Sequence, residues 1–182
     1  PKPESVPFSD EELEKFESHA RDLYEQGDKN YLRGFFLARF TGARVHEIAN
    51  LQIKHWFKDG PQNSHFKLPK AKGYKKSEKG SVATLLASNS ILIEFLDRDF
   101  EGRDPEEYIL GKPSGAPWYV NDSSYSNAFS KKLNKLGILG KQPWHAFRHT
   151  GAIELFEITG DIYQVKTFLR HELIETTKRY LN

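Results

Sequence analysis

The stretch HAFRHTGAIELFEITGDIYQVKTFLRHELIETTKRYL, residues 145–181, decides the fold class. Its apolar residues recur at helical spacing, which predicts helices over about residues 144–158, 161–169 and 176–180. Gly160 lies between the first two, and glycine is common just past the end of a helix. The C-terminal part of the chain is therefore predicted to be a series of helices joined by short turns.

Helices are also predicted before this stretch. Ser9 and Glu12 form a capping-box pattern, which predicts the start of a helix. Gly42 and Gly137 are expected to end two further helices, and Arg44 then lies at the start of the next one. The earlier helices are predicted over about residues 9–25, 30–40, 44–51, 89–100 and 122–136.

Residues 52–88 depart from the helical pattern. The segments Asp59-Gly60-Pro61 and Lys79-Gly80 are turn signals between short runs, and they predict a three-stranded antiparallel sheet. The fold class is therefore α+β, a mainly helical domain with a small three-stranded antiparallel sheet. Between residues 67 and 79 the chain carries one acid, Glu78, and six lysines: Lys67, Lys70, Lys72, Lys75, Lys76 and Lys79.

The composition narrows the class of protein. With 182 residues, 37% of them hydrophobic, the chain can bury one sizeable core and is not polar enough to be disordered. It has no cysteine for disulfides or thiolate metal sites, and no apolar run reaches the roughly 18 residues of a membrane span. We therefore expect an intracellular, cytoplasmic protein. A net charge of +2 and a pI of about 8.7 favour an anionic partner.

Four separated fragments contain the residues suited to chemistry. Each alone has an ordinary structural interpretation, since an arginine such as Arg44 beside Glu47 is usually in a solvated ion pair. A lysine-rich hairpin is more often a solvated loop or a protected sheet edge, and Tyr180 would ordinarily be a packing residue. The fragments are TGARVHEIANL (41–51), LPKAKGYKK (68–76), HAFRHTGA (145–152) and LRHELIETTKRYL (169–181).

A metal site at the histidines of HAFRH is not predicted. His145 and His149 lie one helical turn apart, which is a spacing that metal ligands use. The segment lacks the internal glutamate of a zinc protease, and the chain has no cysteine to add as a ligand. We therefore expect no metal and no other cofactor.

Taken in order, the four fragments resemble the tyrosine recombinase (phage integrase) family. The resemblance rests on an arginine after a Thr-Gly turn, a hairpin lysine, an HxxR motif that continues into His-Thr, and a histidine nine residues before a tyrosine. It implies that residues 9–182 form a catalytic domain that cleaves and rejoins DNA through a covalent link to Tyr180. Residues 1–8 are expected to be a linker from an upstream domain.

The resemblance implies a role for each matched residue. The implied catalytic residues are Arg44, Lys72, His145, Arg148, His171 and Tyr180. Lys72 precedes Gly73, where the family often has Lys-Gly, so we prefer it as the hairpin lysine. The neighbouring Lys70, Lys75 and Lys76 are expected to contact DNA.

The chain departs from the family pattern at Leu169-Arg170-His171, where the family commonly has Leu-Gly-His. Losing the glycine affects the expected backbone shape but not the identity of His171. Arg170 is expected to add a phosphate contact. Glu47, three residues after Arg44, is expected to orient that arginine rather than to react.

The expected chemistry explains why these residue types are needed. Attack on a phosphodiester gathers negative charge on its nonbridging oxygens, and the planar guanidinium groups of Arg44 and Arg148 match that geometry. A phenol has an ordinary pKa near ~10, so Tyr180 needs a base, for which His145 is the candidate. The departing 5′ oxygen needs a proton, which Lys72 is expected to supply. His171 would donate a further hydrogen bond to the phosphate.

The expected partners are double-stranded DNA and other recombinase subunits in a synaptic complex, with a tetramer on two DNA sites. Two alternatives remain open at this point. A type IB topoisomerase uses similar chemistry but relaxes supercoils as a monomer, and an accessory module would bind DNA without cleaving it. The complete set of candidate catalytic groups favours an enzyme, and the HxxRHT and H-x8-Y pattern favours a recombinase.

Overall fold

The computed structural model describes residues 6–69 and 84–182, so Lys70, Lys72, Lys75 and Lys76 lie outside the described residues. The α-helices are α1 (Asp10–Glu25), α2 (Asn30–Thr41), α3 (Val45–Asn50), α4 (Gly60–Asn63), α5 (Ser90–Asp99), α6 (Asp122–Lys135), α7 (Pro143–Thr159), α8 (Ile162–Leu169) and α9 (Ile174–Leu181). The strands are β1 (Trp56–Phe57), β2 (His65–Lys67) and β3 (Thr84–Leu86), and a 3-10 helix covers Ile53–His55. Within the described residues, no helix has the length and apolar character needed to cross a membrane.

Local sequence signals set the ends of several helices. At the start of α1, Glu12 donates its backbone N–H to the hydroxyl of Ser9 at 3.2 Å, and Ser9 donates its own N–H to the Glu12 carboxylate at 2.9 Å. The predicted capping box is therefore confirmed. Gly42 and Gly160 end α2 and α7 in the left-handed conformation, with φ of 69° and 62°, which glycine adopts without steric cost.

The three strands form one antiparallel sheet in the order β1-β2-β3, as predicted. Trp56 pairs with Phe66, and Phe66 pairs with Leu85. Two helical turns, the 3-10 helix and α4, interrupt the region that the sequence pattern indicates as strands and turns. Pro61 favours α4, because a proline in the first turn of a helix has no N–H to leave unpaired.

The core is built around α2, where ten of the twelve residues are buried. Phe35 on this helix packs against Phe16 of α1, with 5.5 Å between ring centroids, and edge to face on Phe147 of α7, at 5.3 Å. Phe129 of α6 joins the same cluster, 5.8 Å from Phe16. Because protein interiors are close-packed, this cluster fixes the position of α7 in the middle of the domain.

A second, smaller core holds the last two helices on α7. Ala152 of α7 packs with Val165 and Leu169 of α8, and all three are fully buried. Tyr180 and Leu181 of α9 lie against this cluster and are partly exposed. The C-terminal helices are therefore packed on the same helix that carries the HxxR motif.

A buried network of charged and polar side chains joins α1, α2 and α5. The Asp99 side chain is 1% exposed and accepts hydrogen bonds from Arg33 at 2.8 and 2.9 Å, from the Tyr24 hydroxyl at 2.6 Å, and from Arg103 at 2.9 Å. Arg103 also donates to the carbonyl of Tyr108 at 2.9 Å. Burial raises the pKa of Tyr24 and lowers the pKa of Arg33.

The first described segment packs onto α7. Phe8 is 6% exposed, stacks on Phe147 with 4.6 Å between ring centroids, and donates its backbone N–H to the Thr150 hydroxyl at 3.0 Å. Lys141, just before α7, donates to the carbonyl of Pro7 at 2.9 Å. Residue 8, which the sequence pattern places at the end of the predicted linker, is thus part of the core.

Candidate active site

Arg148 lies in the middle of α7 and is 5% exposed. Its Nε donates to the carbonyl of Gly42 at 2.8 Å, and its Nη2 donates to the carbonyl of Leu169. These two hydrogen bonds join the end of α2 to the end of α8. Burial, followed by the charge of Arg44, lowers the pKa of Arg148 to about 10, so the guanidinium stays charged at neutral pH.

Arg44 precedes α3 in an extended conformation, and its backbone N–H donates to a Glu47 carboxylate oxygen at 2.7 Å. The tight turn at Gly42 sets where this residue emerges from α2. Together with Arg148 and His145, the half-buried Arg44 side chain lines a cleft of about 370 Å³. Two guanidinium groups at one cleft suit an anion with several oxygens, such as a phosphate.

His145 lies in the first turn of α7 and is exposed to solvent. It precedes Arg148 by three residues, so both side chains project from the same face of the helix. Its backbone carbonyl accepts a hydrogen bond from the Tyr180 hydroxyl at 3.5 Å. His145 therefore lines the cleft, and its backbone contacts the tyrosine hydroxyl.

Tyr180 lies near the end of α9, and its ring lies against side chains of α7 and of the turn between α8 and α9. It packs on His149, with 4.3 Å between ring centroids, and edge to face against His171, at 5.7 Å. The guanidinium carbon of Arg148 lies 5.9 Å from the centre of the tyrosine ring. The most C-terminal of the predicted site residues thus reaches the HxxR motif of α7.

His171 lies in the turn between α8 and α9. Its Nδ1 is hydrogen-bonded with the hydroxyl of Thr177, a fully buried residue of α9, at 3.0 Å. Burial, followed by the charges of Arg148, Arg44 and Arg170, lowers the pKa of His171 to about 4. The ring is therefore neutral at neutral pH, and it can act as a hydrogen-bond donor but not as a cation.

Arg170 and Glu47 contact each other across the site. Arg170 ends α8 with φ of 56° and ψ of 39°, and it has the left-handed conformation that the family's glycine would adopt easily. Its guanidinium donates to the same Glu47 oxygen that accepts the Arg44 backbone N–H. Glu47 thus acts on the backbone of Arg44 and on the side chain of Arg170.

The structure brings five of the predicted catalytic residues to one place, where their catalytic roles stay predictions. Two contacting residues were not among the predicted site residues: His149, which packs on the tyrosine ring, and Thr177, which bonds to a histidine. His149 lies within the HxxRHT motif, so the sequence carried a signal for it; Thr177 had none. Lys72 lies outside the described residues. The five residues are Arg44, His145, Arg148, His171 and Tyr180.

A larger cavity, of about 490 Å³, lies on another face, between α2, α7, α8 and β3. Its lining includes the apolar side chains of Phe40, Leu155 and Phe168, with the Arg39–Glu154 ion pair at its edge. Among the predicted catalytic residues that the structure describes, none lines this cavity. The smaller cleft is therefore the candidate active site, because the predicted catalytic residues Arg44, His145 and Arg148 line it.

The described part of the chain contains no group of three or more histidine, cysteine, aspartate or glutamate side chains that could hold a metal ion. His145 and His149 have different surroundings, since the first lines the cleft and the second packs on Tyr180.

Comparison with known proteins bears on the same residues. The model of the phage integrase family matches residues 8–182. The chain belongs to the phage integrase family. This assignment confirms the resemblance of the four sequence fragments, and the match begins at the buried Phe8.

One relative extends the comparison beyond the family model. The probable integrase/recombinase protein MJ0367 of Methanocaldococcus jannaschii is 27% identical over 169 residues, which cover 88% of this chain and 48% of the relative. This chain therefore spans about half the length of that relative.

Solved structures show the same fold. The XerA recombinase superposes with a TM-score of 0.70 at 21% identity, covering 100% of this chain and 60% of that one. The Tn1549 transposon integrase in complex with transposon right-end DNA gives 0.72 at 16% identity, covering 100% and 62%. The lambda integrase dimer bound to a core site gives 0.70 at 18% identity, covering 100% and 49%. The predicted fold class is confirmed.

Proposed function

We propose that this chain is the catalytic part of a site-specific DNA recombinase or integrase, which cleaves and rejoins DNA through a 3′-phosphotyrosine intermediate. One observation carries the proposal. Arg44, Arg148 and His145 line one cleft, and Tyr180 lies beside it, with its hydroxyl on the His145 carbonyl and its ring near the Arg148 guanidinium. A cleft lined by two cations, with a tyrosine hydroxyl beside it, suits attack on a phosphodiester.

The two arginines bind the scissile phosphate in this proposal. Arg148 uses its Nε and Nη2 to hold the protein backbone, which fixes the plane of its guanidinium before the substrate arrives. The remaining N–H groups are available for the nonbridging oxygens of a phosphate. Arg44, two residues after Gly42, contributes the second cation to the same cleft. Fixed donors stabilise developing negative charge most effectively, because they need no reorganisation during the reaction.

Tyr180 attacks phosphorus, and each proton has a destination. The phenolic oxygen forms a new bond to phosphorus while its proton passes to the imidazole of His145. The tyrosine hydroxyl lies 3.5 Å from the backbone carbonyl of the same histidine. The bond from phosphorus to the 5′ oxygen breaks, and the leaving oxygen takes a proton from a general acid, which we assign to Lys72. His171 donates a hydrogen bond to the phosphate as a neutral ring. Attack by a 5′ hydroxyl on the phosphotyrosine reverses these steps without a metal or cofactor.

DNA is the proposed partner, together with further subunits that bring two sites into one synaptic complex. Two structural neighbours support this, since the lambda integrase is a dimer bound to a core site and the Tn1549 integrase is in complex with transposon-end DNA. Lys70, Lys75 and Lys76 remain proposed DNA contacts. Because such contacts are mainly to phosphates, DNA affinity should fall steeply as salt rises.

The test is covalent capture on a suicide substrate. A pool of nicked DNA duplexes with randomised sequence is incubated with the chain, and DNA that stays bound to protein in SDS is recovered and sequenced. In the nicked duplex the freed 5′ end diffuses away, so the phosphotyrosine accumulates. We expect a covalent adduct that also forms in EDTA, that is lost in Tyr180→Phe, and that persists in the control Tyr163→Phe. Tyr163 is an exposed tyrosine of the neighbouring helix α8.

Each other outcome overturns part of the proposal. DNA binding without any adduct would leave only a binding module. An adduct that survives Tyr180→Phe would assign the nucleophile to another tyrosine. Recovered DNA with no common sequence, together with relaxation of supercoiled plasmid and no strand exchange between two sites, would indicate a topoisomerase.

A further inference from the structure

The turn between α8 and α9 contains an unusual residue choice. Arg170 has φ of 56° and is the one residue other than glycine with positive φ among residues 6–69 and 84–182. An L-residue with a side chain is disfavoured in this conformation, whereas glycine is not. A side chain retained at such a position suggests a task for that side chain.

The Arg170 side chain points into the protein toward α3. It is 16% exposed, and its guanidinium pairs with Glu47, whose side chain is 11% exposed. A pair this enclosed is less screened by solvent than a surface ion pair. A phosphate contact through the same nitrogen would require Arg170 to leave Glu47, and the carboxylate would then be enclosed near the site without this partner.

The pair lies between two segments that each present a predicted site residue. One segment is the entry to α3, with Arg44, and the other is the turn after α8, with His171. Arg148 already joins these segments by donating to the carbonyls of Gly42 and Leu169. The contact from Glu47 to Arg170 is a second bridge between them, and the same Glu47 oxygen also holds the Arg44 backbone N–H.

We propose that Arg170 is a positioning residue, which pairs with Glu47 to hold the turn that carries His171 against the segment that carries Arg44. The proposal rests on the proposed function, because positioning is defined by its effect on DNA cleavage. Arg170 touches no reacting atom in this scheme. It acts by keeping a hydrogen-bond donor and a cation at a fixed spacing around the phosphate.

The first test measures single-turnover formation of the covalent adduct on the captured substrate. We expect Arg170→Ala and Glu47→Gln each to slow cleavage by about 10-fold to 100-fold, the scale for displacing a catalytic group by about 1 Å. DNA affinity and its salt slope should be unchanged in Arg170→Ala. The double variant should be no slower than the slower single variant, because both changes break one bridge. Arg98→Ala, which removes an exposed arginine of α5, is the matched control.

Arg170→Gly separates the backbone from the side chain. Glycine relieves the left-handed strain but removes the bridge, so this variant should be at least as stable to heat as Arg170→Ala and should still cleave slowly. Arg170→Lys should recover part of the rate, since it restores a cation without the planar group. Full activity in Arg170→Gly would overturn the proposal. Weaker DNA binding with a smaller salt slope, and a normal rate once bound, would identify a phosphate contact instead.

A second readout does not depend on activity. Amide hydrogen exchange should accelerate at residues 169–173 in Glu47→Gln and at residues 44–48 in Arg170→Ala, so each substitution loosens the segment opposite to it. Exchange that changes only around the substituted residue would overturn the bridge. If the unmodified chain forms no adduct, the proposed function fails while the exchange experiment still tests the contact. If exchange is coupled but the cleavage rate is unchanged, the positioning role fails alone.

Discussion

His171 stands among the charges of Arg44, Arg148 and Arg170 and bonds through Nδ1 to Thr177. A neutral imidazole has one N–H, and its position depends on the partner of the other nitrogen. When the Thr177 hydroxyl donates to Nδ1, the ring proton lies on Nε2, which can then donate to a phosphate. The cationic surroundings thus favour the protonation state that the proposed chemistry needs.

The low pKa of His171 predicts a pH dependence of stability. The folded protein holds this pKa at about 4, whereas the unfolded chain has the ordinary value of 6.5. The unfolded chain therefore binds more protons between these values, so the contribution of His171 to stability is complete above about pH 6.5 and is lost as pH falls toward about 4. His171→Gln should show a smaller fall in the free energy of unfolding between about pH 7 and pH 5, measured by urea denaturation. Burial also lowers the pKa values of His19 and His55, which are present in the unmodified protein and in His171→Gln alike. An equal fall in the unmodified protein and in the variant would therefore contradict the prediction.

The two arginines should respond differently to substitution by lysine. Lysine keeps the charge but loses bidentate geometry, so Arg148→Lys and Arg44→Lys should each slow cleavage by about 100-fold or more. Arg148 also satisfies two backbone carbonyls, so Arg148→Lys should in addition cost about 1 to 3 kcal/mol of stability. Arg44→Lys should melt near the unmodified temperature. Adduct formation and thermal melting give the two readouts, and equal melting of both variants would refute the difference.

At the scale of elements, the crossing of α7 over α2 depends on Gly151. A Cβ at this position would lie 2.0 Å from the carbonyl oxygen of Arg39, a contact with backbone that a rotamer change cannot relieve. Gly151→Ala should therefore force the helices apart and cost about 3 kcal/mol or more. Gly160→Ala is the control, because it meets no atom within 4 Å and adds only left-handed strain of about 1 kcal/mol. Chemical denaturation compares them, and a smaller loss for Gly151→Ala would contradict the prediction.

Elements with local signals are predictable from the sequence, and those set by distant contacts are not. Ser9 with Glu12 predicts the start of α1, and Gly42 and Gly160 predict the ends of α2 and α7. The 3-10 helix and α4 escape prediction, because a three- or four-residue helix is too short to show a periodic pattern.

The candidate site likewise has residues that local motifs predict and a contact that they do not. Motif order finds the five residues that converge, since each fragment carries its own pattern. Motif order predicts Glu47 as the partner of Arg44, and Arg170 as a phosphate contact. In the structure, the side chains of Glu47 and Arg170 contact each other. They are 123 positions apart, and no local spacing rule pairs residues at that distance.

At the scale of the whole molecule, the Asp99 network ties the N-terminal helices to the loop after α5. Replacing the shared carboxylate by a neutral amide would leave the buried charges of Arg33 and Arg103 without their common anion, so Asp99→Asn should cost about 3 to 5 kcal/mol. Asp97→Asn on the same helix breaks the exposed pair with Lys58 and should cost about 1 kcal/mol or less. Urea denaturation of both variants provides the comparison. A similar loss of unfolding free energy in Asp99→Asn and Asp97→Asn would show that burial does not determine how much these ion pairs contribute to stability.

The docking of Phe8 on α7 has a practical consequence for choosing where to begin a shortened gene for expression. A start codon placed directly before Ser9 would keep the whole capping box of α1 and would look safe from the helix boundaries alone. It would nevertheless uncover one face of Phe147, which lies within the HxxR motif, and remove the N–H that Thr150 accepts two residues after that motif. A truncation series should therefore retain Phe8, and protein yield and melting temperature should drop between versions that begin before and after this residue.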